Sequence, residues 1–395
     1  MKNLSQLFLL PLFALTALAC SGEKEESKAS TPLSEQSLEF EIYDSLVVDY
    51  LGNLTLMDIS PDSNTFLLSD SNTDTLFVTN ADGKILHQYM LKGEGPNNYA
   101  GNRTGIAKFS SDSEFLIPTS RGVYSYNLQG ELLKSYKPDF SSSVSLIIGG
   151  ANNSVIHENK FYTNLTGRYS EKYGHQGIEF QQNSKQLEVL DLETGVYSPL
   201  IPFPKASKFS SSETSFPMLN FHLNLSATED SLFINFRNEP KIFGYAFGQL
   251  DSASVPGSVK TIPFTSFIEK EPKENLQDGS FDVRDFFLGT VNSFIAIEDN
   301  LFLVDFVAGL SDEDYEEANE IAGGDPSKIF EQGNKLNTVG MVLFDGTHIS
   351  QLLSKPEILG NLNKYVSKDE IWFSLNFSEA ENDYSVIYKA RLISK

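Results

Sequence analysis

Cysteine is nearly absent from this sequence, because Cys20 is the only one in 395 residues. A disulfide framework is therefore excluded, and so is a zinc site built on several cysteines. The five histidines stand far apart, without the paired spacing of a metal motif. Basic residues are also few, since the sequence has 30 lysines and arginines against 53 aspartates and glutamates, which gives a formal charge of -23. This balance excludes the basic footprint of a nucleic-acid-binding protein.

The sequence also lacks the common catalytic motifs. It contains no G-x-S-x-G elbow, no P-loop and no dinucleotide-binding glycine pattern. Its apolar run at residues 7–18 is too short to span a membrane. That run follows Lys2 and ends in small residues at Ala17 and Ala19, which is typical of an export signal peptide.

The signal peptide ends at Cys20, and these features together resemble a bacterial lipobox. The resemblance implies cleavage before Cys20 and acylation of both its thiol and its new amino group. Several acyl chains hold a protein on a membrane stably. We therefore predict a signal peptide over residues 1–19, a flexible polar tether over residues 20–36 and a membrane contact through the lipid anchor.

An acidic cluster at residues 23–26 bears on the location of the protein. The cluster resembles the lipoprotein export signal of Bacteroidetes-type bacteria, which implies the outer face of the outer membrane. A merely solvated spacer explains the cluster about as well, and the periplasmic side then stays open. We predict an outer-membrane lipoprotein and favour the cell surface.

One short pattern recurs six times along the rest of the chain. A polar turn is followed by bulky residues, which predicts a hairpin turn that leads into a buried strand. The spacings between copies are 49, 46, 72, 69 and 70 residues, so the first copies have the period of a propeller blade and the later ones carry insertions. The aromatic markers of the six copies are Phe66, Phe115, Phe161, Phe233, Phe302 and Trp372.

A second hairpin signal follows most copies. An apolar strand ends in a turn that contains Gly83, Gly130, Gly195 or Gly346, where glycine supplies the positive φ of a tight hairpin. Two hairpins make the four antiparallel strands of one blade. We predict an all-β, six-bladed β-propeller over residues 37–395, closed by an N-terminal strand at residues 38–43 that pairs with the last blade.

A loop between the first two units contains Gly93, Glu94, Gly95, Pro96 and Asn97, and we interpret it as a shaped turn between blades. The repeats, the lipobox and this loop resemble the TolB-like six-bladed propeller lipoproteins of Bacteroidetes. The resemblance covers nearly the whole mature chain and implies fold and location. It implies no particular activity, because propellers host enzymes and binding proteins alike.

The insertions predict which face of the propeller carries the function. In a four-stranded blade, the turns between strands one and two and between strands three and four share one face, and the other connections share the opposite face. Long loops are usually functional, so we place the binding surface on the second face. The insertions on that face are residues 93–105, 164–186, 203–219, 266–290 and 306–337, and the exception on the first face is residues 248–258.

Five of the six arginines fall in the loops of the second face. Arginine forks pair bidentately with carboxylate, sulfate or phosphate, so these residues are candidates for binding an anionic ligand. The alternative is that they pair with the excess carboxylates of the protein itself. The candidates are Arg103, Arg121, Arg168, Arg237 and Arg284.

Aromatic residues are frequent in the same loops. They either stack on a sugar ring or a protein partner, or pin the long loops to the body as small satellite cores, and we favour the second interpretation. These residues are Tyr169, Tyr173, Phe209, Phe216, Phe281, Phe286, Phe287 and Tyr315.

Oxygen-bearing residues follow the second strand in four of the predicted blades. Asp70, Asn164, Asn238 and Asp305 are secondary candidates for a calcium site at the axis, although such residues more often cap strand ends. The acidic run at residues 311–320 lacks the alternating ligands of a calcium loop and predicts a short helix capped by Ser311. We expect no other cofactor.

These observations favour a binding or protein-interaction module without catalysis, which takes an anionic or carbohydrate ligand or a protein partner. The alternative is a hydrolase or lyase with its site at the axial funnel, assisted by calcium. A binding protein predicts scattered aromatic and arginine side chains on the second face, whereas an enzyme predicts convergent Asp, Glu or His side chains at the axis. A scaffold beside an outer-membrane transporter is a third hypothesis.

Overall fold

Short β-strands make up most of the computed structural model of this protein. The structure describes residues 32–70, 72–141, 154–251, 255–274, 276, 282–323, 325–380 and 382–395. The predicted signal peptide, Cys20 and tether residues 20–31 lie outside the described residues. Within the part of the chain that is described, no helix is long and apolar enough to cross a membrane.

The strands pair into six antiparallel sheets, which are the blades of a propeller. The chain begins with β1 (Leu38–Val48), which joins the last blade. Blades 1 and 2 contain β2 (Leu54–Ile59), β3 (Thr65–Asp70), β4 (Thr75–Asn80) and β5 (Ile85–Tyr89), then β6 (Lys108–Ser111), β7 (Glu114–Thr119), β8 (Gly122–Asn127) and β9 (Leu132–Tyr136). Blades 3 and 4 contain β10 (Ser154–His157), β11 (Lys160–Thr163), β12 (Lys185–Asp191) and β13 (Tyr197–Pro202), then β14 (Leu223–Ala227), β15 (Ser231–Phe236), β16 (Lys241–Ala246) and β17 (Ser258–Thr261). Blades 5 and 6 contain β18 (Thr290–Glu298), β19 (Leu301–Val307) and β20 (Val339–Phe344), then β21 (Leu359–Ser367), β22 (Glu370–Leu375) and β23 (Ser385–Ser394), followed by β1.

The first strand of each blade lies toward the axis of the ring. Strand β2 contacts β6 on one side and β21 on the other, and β14 contacts β10 and β18 in the same way. All six aromatic markers fall in the second strand of their blades and are buried. Rings of neighbouring blades meet, with centroids 5.1 Å apart for Phe233 and Phe302 and 5.5 Å apart for Phe66 and Trp372. The six-bladed propeller that the repeats predict is confirmed.

The connections divide between two faces as the sequence predicts. Turns between the first and second strands and between the third and fourth strands lie on one face, which we call the turn face. Connections between the second and third strands and between blades lie on the opposite face, which we call the loop face. The long connections of the loop face are residues 90–107, 137–153, 164–184, 203–222, 262–289 and 308–338, and residues 247–257 form the long connection of the turn face.

The N-terminal strand closes the ring, as predicted. Strand β1 pairs antiparallel with β23, from Leu38 opposite Ser394 to Val48 opposite Ser385. This pairing covers the edge of β23, which would otherwise be open to association with another chain. Phe40 of β1 is buried, so the closing strand also contributes to the core of blade 6.

Blade 5 departs from the prediction of four regular strands. After β20 the chain turns at Asp345 and Gly346, and the next segment follows β20 without forming a regular strand. An isolated bridge joins Phe344 and Ile349, and the Ser350 N–H donates to the Leu343 carbonyl at 2.9 Å. The Leu343 N–H, however, donates to the Oγ of Ser350 and not to a backbone carbonyl. A polar side chain that bonds the neighbouring backbone competes with strand pairing in this way.

Four α-helices lie in the loop-face insertions: α1 (Ser170–Tyr173), α2 (Ile178–Asn183), α3 (Asp312–Ala322) and α4 (Pro326–Leu336). The predicted helix at the acidic run is confirmed as α3. Ser311 and Asp314 form a reciprocal capping box at its start, and Gly323 ends it in the left-handed conformation. Helices α3 and α4 pack together over a small cluster that contains Phe287 and Leu310.

Candidate functional site

Three of the five predicted arginines are paired within the protein, and Arg103 and Arg284 are the first two. Arg103 lies 2.8 Å from a carboxylate oxygen of Asp74. Arg284 donates to the backbone carbonyl of Leu310 and lies 3.2 Å from Asp312. Internal pairing, the alternative that the sequence leaves open, therefore describes these two positions.

Arg168 is the most tightly held of the five arginines. Its Nε and Nη2 donate to the two carboxylate oxygens of Glu188 at 2.6 and 2.9 Å. Its outer side meets Asp139 at 3.1 Å and the ring of Phe140 at 4.4 Å. Glu188 is buried, and burial raises the pKa of its carboxyl while the hydrogen bonds and charge of Arg168 lower it. This fork orients the 164–184 connection against blade 3.

Arg121 is exposed in a wide cleft on the loop face between blades 1 and 2. The cleft encloses about 1560 Å³, part of it open to solvent, and Lys92, Lys137 and Glu94 share its wall. Lys92 lies 3.3 Å from Asp74. Neither Arg121 nor Lys137 has a carboxylate partner among the residues that the structure describes.

The predicted interblade turn forms the rim of this cleft. The Gly93 N–H donates to the Tyr99 carbonyl at 3.1 Å, and the Asn98 N–H donates to the Gly95 carbonyl at 3.0 Å. Gly93 has a φ of 150°, and a Cβ at Gly95 would lie 2.4 Å from the Asn98 side chain. Tyr99 is fully buried below the turn. The loop is thus a shaped turn, with Gly93 and Glu94 in the cleft wall and Pro96 and Asn97 at its exposed tip.

Arg237 directly follows β15, between blades 4 and 5. Its backbone N–H donates to the His222 carbonyl at 2.9 Å, and its carbonyl accepts from the Val291 N–H at 2.8 Å. The side chain is half-buried, and its Nε is buried without a hydrogen-bond partner. Burial alone lowers the pKa of the guanidinium. Across residues 32–395, apart from the gaps named above, no carboxylate pairs with Arg237.

His222 shares this setting. Its Nε2 is buried and has no hydrogen-bond partner in the described part of the chain. Burial, followed by the charge of Arg237, lowers the pKa of His222 to about 4. The imidazole is therefore neutral at pH 7. His222 also lines a partly enclosed pocket between the 164–184 connection and the start of β14.

The secondary calcium candidates have different local partners. Asp70 accepts from the Tyr50 hydroxyl at 2.6 Å and from the backbone N–H of Asn72, so it caps a turn. The Asn238 side chain bonds four groups and holds the 262–289 connection in place. Asn164 lines the pocket beside His222. In the described residues no three His, Cys, Asp or Glu side chains are grouped closely enough to hold a metal ion.

Asp305, the fourth calcium candidate, has a raised pKa. Burial raises the pKa of its carboxyl to about 6, against the opposing hydrogen bond from Asn292 and the charge of Lys355. Asp305 lies on β19 and Asn292 lies on β18, so the carboxyl belongs to the inner part of blade 5.

Charged residues near the axis were missed by the sequence analysis. Lys364 of β21 donates to Asp58 of β2 at 2.5 Å, and the other oxygen of Asp58 accepts from the Phe109 N–H of β6. This carboxylate therefore joins three blades. Burial lowers the pKa of the neighbouring Lys108 to about 8. A charged residue within the otherwise apolar run at residues 54–59 was the signal for such a contact.

Four of the eight predicted loop aromatics pack into apolar clusters. Phe209 and Phe216 belong to a buried cluster with blades 3 and 4, and Phe287 and Tyr315 belong to the cluster under α3 and α4. Phe286 is 45% exposed and Tyr169 and Tyr173 are half-buried. Phe281 lies outside the described residues.

Comparison with known proteins shows a shared fold with one solved structure. No family model and no curated protein matches its sequence. A crystal structure of a DUF4221 family member from Bacteroides vulgatus is similar with a TM-score of 0.58 at 12% identity, over 92% of this chain and 100% of that one. That similarity shows a shared fold. A Bacteroides fragilis protein described as exported has a TM-score of 0.49 at 15% identity, over 92% of this chain and 98% of that one. A gluconolactonase from Xanthomonas campestris reaches 0.41 at 9% identity, over 91% and 99%, and neither of these two similarities carries an argument.

Proposed function

We propose that this protein is a ligand-binding propeller of the bacterial outer membrane, held by a lipid on Cys20, whose loop face binds an anionic ligand without catalysis. The observation that supports this most is Arg237, a half-buried guanidinium whose buried Nε has no partner. Placing a charge in a protein interior without a partner costs several kcal/mol. A bound carboxylate, sulfate or phosphate would provide the missing acceptors.

The test compares wild type, Arg237→Met and the control Arg391→Ala. Arg391 lies on β23 and pairs with Glu41 at the outer edge of blade 6, away from the loop face. Binding of sulfate, phosphate and galacturonate is measured by calorimetry at matched ionic strength. We expect wild type and Arg391→Ala to bind one of these anions and Arg237→Met to lose it.

Stability provides a second readout for the same variant. Without ligand, the free energy of unfolding of Arg237→Met should be about 1–2 kcal/mol higher than that of wild type, because the substitution removes an uncompensated buried charge. Equal anion binding by wild type and Arg237→Met would contradict the proposal, and so would the absence of binding to all three probes.

The proposed location rests on the lipobox at Cys20 and on the likeness to TolB-like propeller lipoproteins. In cells fed a labelled fatty acid, wild type should incorporate the label and sediment with membranes, whereas Cys20→Ala should do neither. Cleavage of wild type by protease added to intact cells would support the surface side. Membrane retention of Cys20→Ala would contradict the lipid anchor.

Asp305 favours a second candidate, a hydrolase or lyase at the axial funnel. A carboxyl with a pKa of about 6 is suited to acid–base catalysis near neutral pH. This function predicts that wild type turns over a chromogenic ester or glycoside and that Asp305→Asn does not. Asp49→Asn, an exposed carboxyl change in the β1–β2 connection, is the matched control.

A further inference from the structure

The partly enclosed pocket beside His222 is separate from the cleft that contains Arg121. It spans about 630 Å³ of space between the side chains, a volume that includes space open to solvent. The 164–184 connection forms one wall, and the segment that leads into β14 forms the other. Arg168 lies between the two concavities, because it lines the pocket while it contacts Asp139 and Phe140 in the cleft wall.

Aromatic and apolar side chains form much of the pocket wall. The rings of Phe180 and Phe221 stack with centroids 5.8 Å apart, and Met218 and Tyr169 extend the same surface. The hydroxyl of Tyr169 is hydrogen-bonded to the backbone of Lys185, which fixes that ring. Rigid aromatic faces of this kind offer an apolar surface at low entropic cost.

Two residues that line the pocket have polar side-chain atoms without a hydrogen-bond partner in the described part of the chain. His222 presents an Nε2 with no hydrogen-bond partner. Asn164 lines the pocket as well, and no hydrogen bond to the described residues holds its side chain. The buried Nε2 of His222 costs about 1–3 kcal/mol while it has no partner, so a ligand that bonds this atom gains that difference on binding.

The charges around the pocket balance. The cations Arg168 and Lys185 are offset by Glu188 within the wall and by Asp139 directly outside it. His222 is neutral at pH 7. Arg237 does not line the pocket, although its charge acts on His222, so the pocket wall and Asp139 together carry no excess positive charge with which to select an anion.

We infer that this pocket is a binding site for an uncharged, hydroxyl-bearing ring such as a hexopyranose unit. Its apolar ring face packs on Phe180 and Phe221, and its hydroxyl groups bond His222 and Asn164. The site goes beyond the proposed anion site at Arg237 and does not depend on it.

The full-length protein in detergent is tested by saturation-transfer NMR with the methyl pyranosides of glucose, galactose, mannose and N-acetylglucosamine. At least one of these probes should bind wild type. His222→Phe should abolish binding, and Asn164→Ala should weaken it about fivefold, the loss of one hydrogen bond. His87→Phe, on the outer strand of blade 1, is the matched control and should bind like wild type.

Asn164→Ala keeps the test decisive even where His222→Phe fails to fold. The inference is overturned where none of the four glycosides binds, where both pocket variants bind like wild type, or where methyl glucuronide binds more tightly than every neutral glycoside. The glycoside assay contains no added anion. A lack of glycoside binding would therefore leave the separate test of anion binding at Arg237 unaffected.

Discussion

At the scale of single residues, the fate of each arginine depends on its neighbours in space. Arg103 and Arg168 meet carboxylates 29 or fewer positions away in sequence, and Arg237 meets none in the described chain. An arginine that is paired inside the protein is largely unavailable to a ligand. The candidates for binding an anionic ligand are therefore Arg121 and Arg237, which have no carboxylate partner in the described chain.

Asp305 gives a pH-dependent prediction. Its pKa is raised from 3.8 to about 6, so between these values the folded state holds a proton that the unfolded state has lost. The stability that this proton gives is present below pH 4 and is lost as the pH rises to 6. Asp305→Asn should therefore be about 1–2 kcal/mol more stable than wild type at pH 7.5 and equal to it at pH 4.

Urea unfolding at the two pH values measures this difference, and Asp49→Asn is the exposed control. If Asp305→Asn increased the free energy of unfolding equally at both pH values, burial would not control the titration of Asp305.

The sequence indicates the residue types of the site but not their partners. The five arginines and Asn164 are visible as polar residues in loop-face connections, because strand order alone assigns each loop to a face. Pairing of Arg168 with Glu188 requires knowledge of which β12 residue faces the 164–184 connection. Whether the Nε2 of His222 has a hydrogen-bond partner depends on how two connections pack together. No local sequence pattern predicts that packing.

At the scale of elements, α3 has the clearest sequence determinants. The Ser311 Oγ accepts from the Asp314 N–H at 3.0 Å, and the Asp314 carboxylate accepts from Ser311. Ser311→Ala should remove about 1 kcal/mol from this helix and lower the hydrogen-exchange protection of α3 amides about fivefold. The outer-strand change Ser135→Ala is the control, since this side chain is exposed.

The loss should be confined to the α3–α4 unit, because that unit packs on its own small cluster rather than on the core between blades. Unchanged protection in α3 would argue that tertiary packing alone holds the helix.

Blade 5 shows where element prediction fails. The apolar run and glycine turn before Gly346 correctly indicate β20 and the bend that follows it. The next segment was expected to form a fourth strand, but the Ser350 hydroxyl bonds to the Leu343 N–H there. Period and hydrophobicity do not distinguish a strand from a segment that runs alongside one.

At the scale of the whole molecule, the closure of the ring by β1 sets the cooperativity of unfolding. Phe40 is 2% exposed, and its ring centroid lies 5.0 Å from that of Phe373. Phe40→Ala should cost about 3–5 kcal/mol and lower the temperature of a single unfolding transition. Val47→Ala, at a 46% exposed position of the same strand, should cost under about 0.5 kcal/mol.

Scanning calorimetry with intrinsic fluorescence measures both variants. A separate early transition in Phe40→Ala would show that β1 detaches without opening the propeller.

The ring itself could be predicted because it depends on repetition. Six markers, each in the second strand of a blade, give the number of blades even where insertions stretch the spacing. The alternating strand at residues 38–43 could be matched to the last blade because a ring leaves one edge to be covered. Lys108 and the contact between Lys364 and Asp58 could not be predicted, since they join blades distant in sequence.

The direction of β1 has a consequence for presentation. Because β23 runs from the loop face to the turn face and β1 runs antiparallel to it, the chain enters the propeller at the turn face. A lipid at Cys20, as proposed, would then be connected to the turn face by a segment that spans at most about 60 Å when fully extended. Residues that precede Leu38 therefore join the propeller at the face opposite the two concavities.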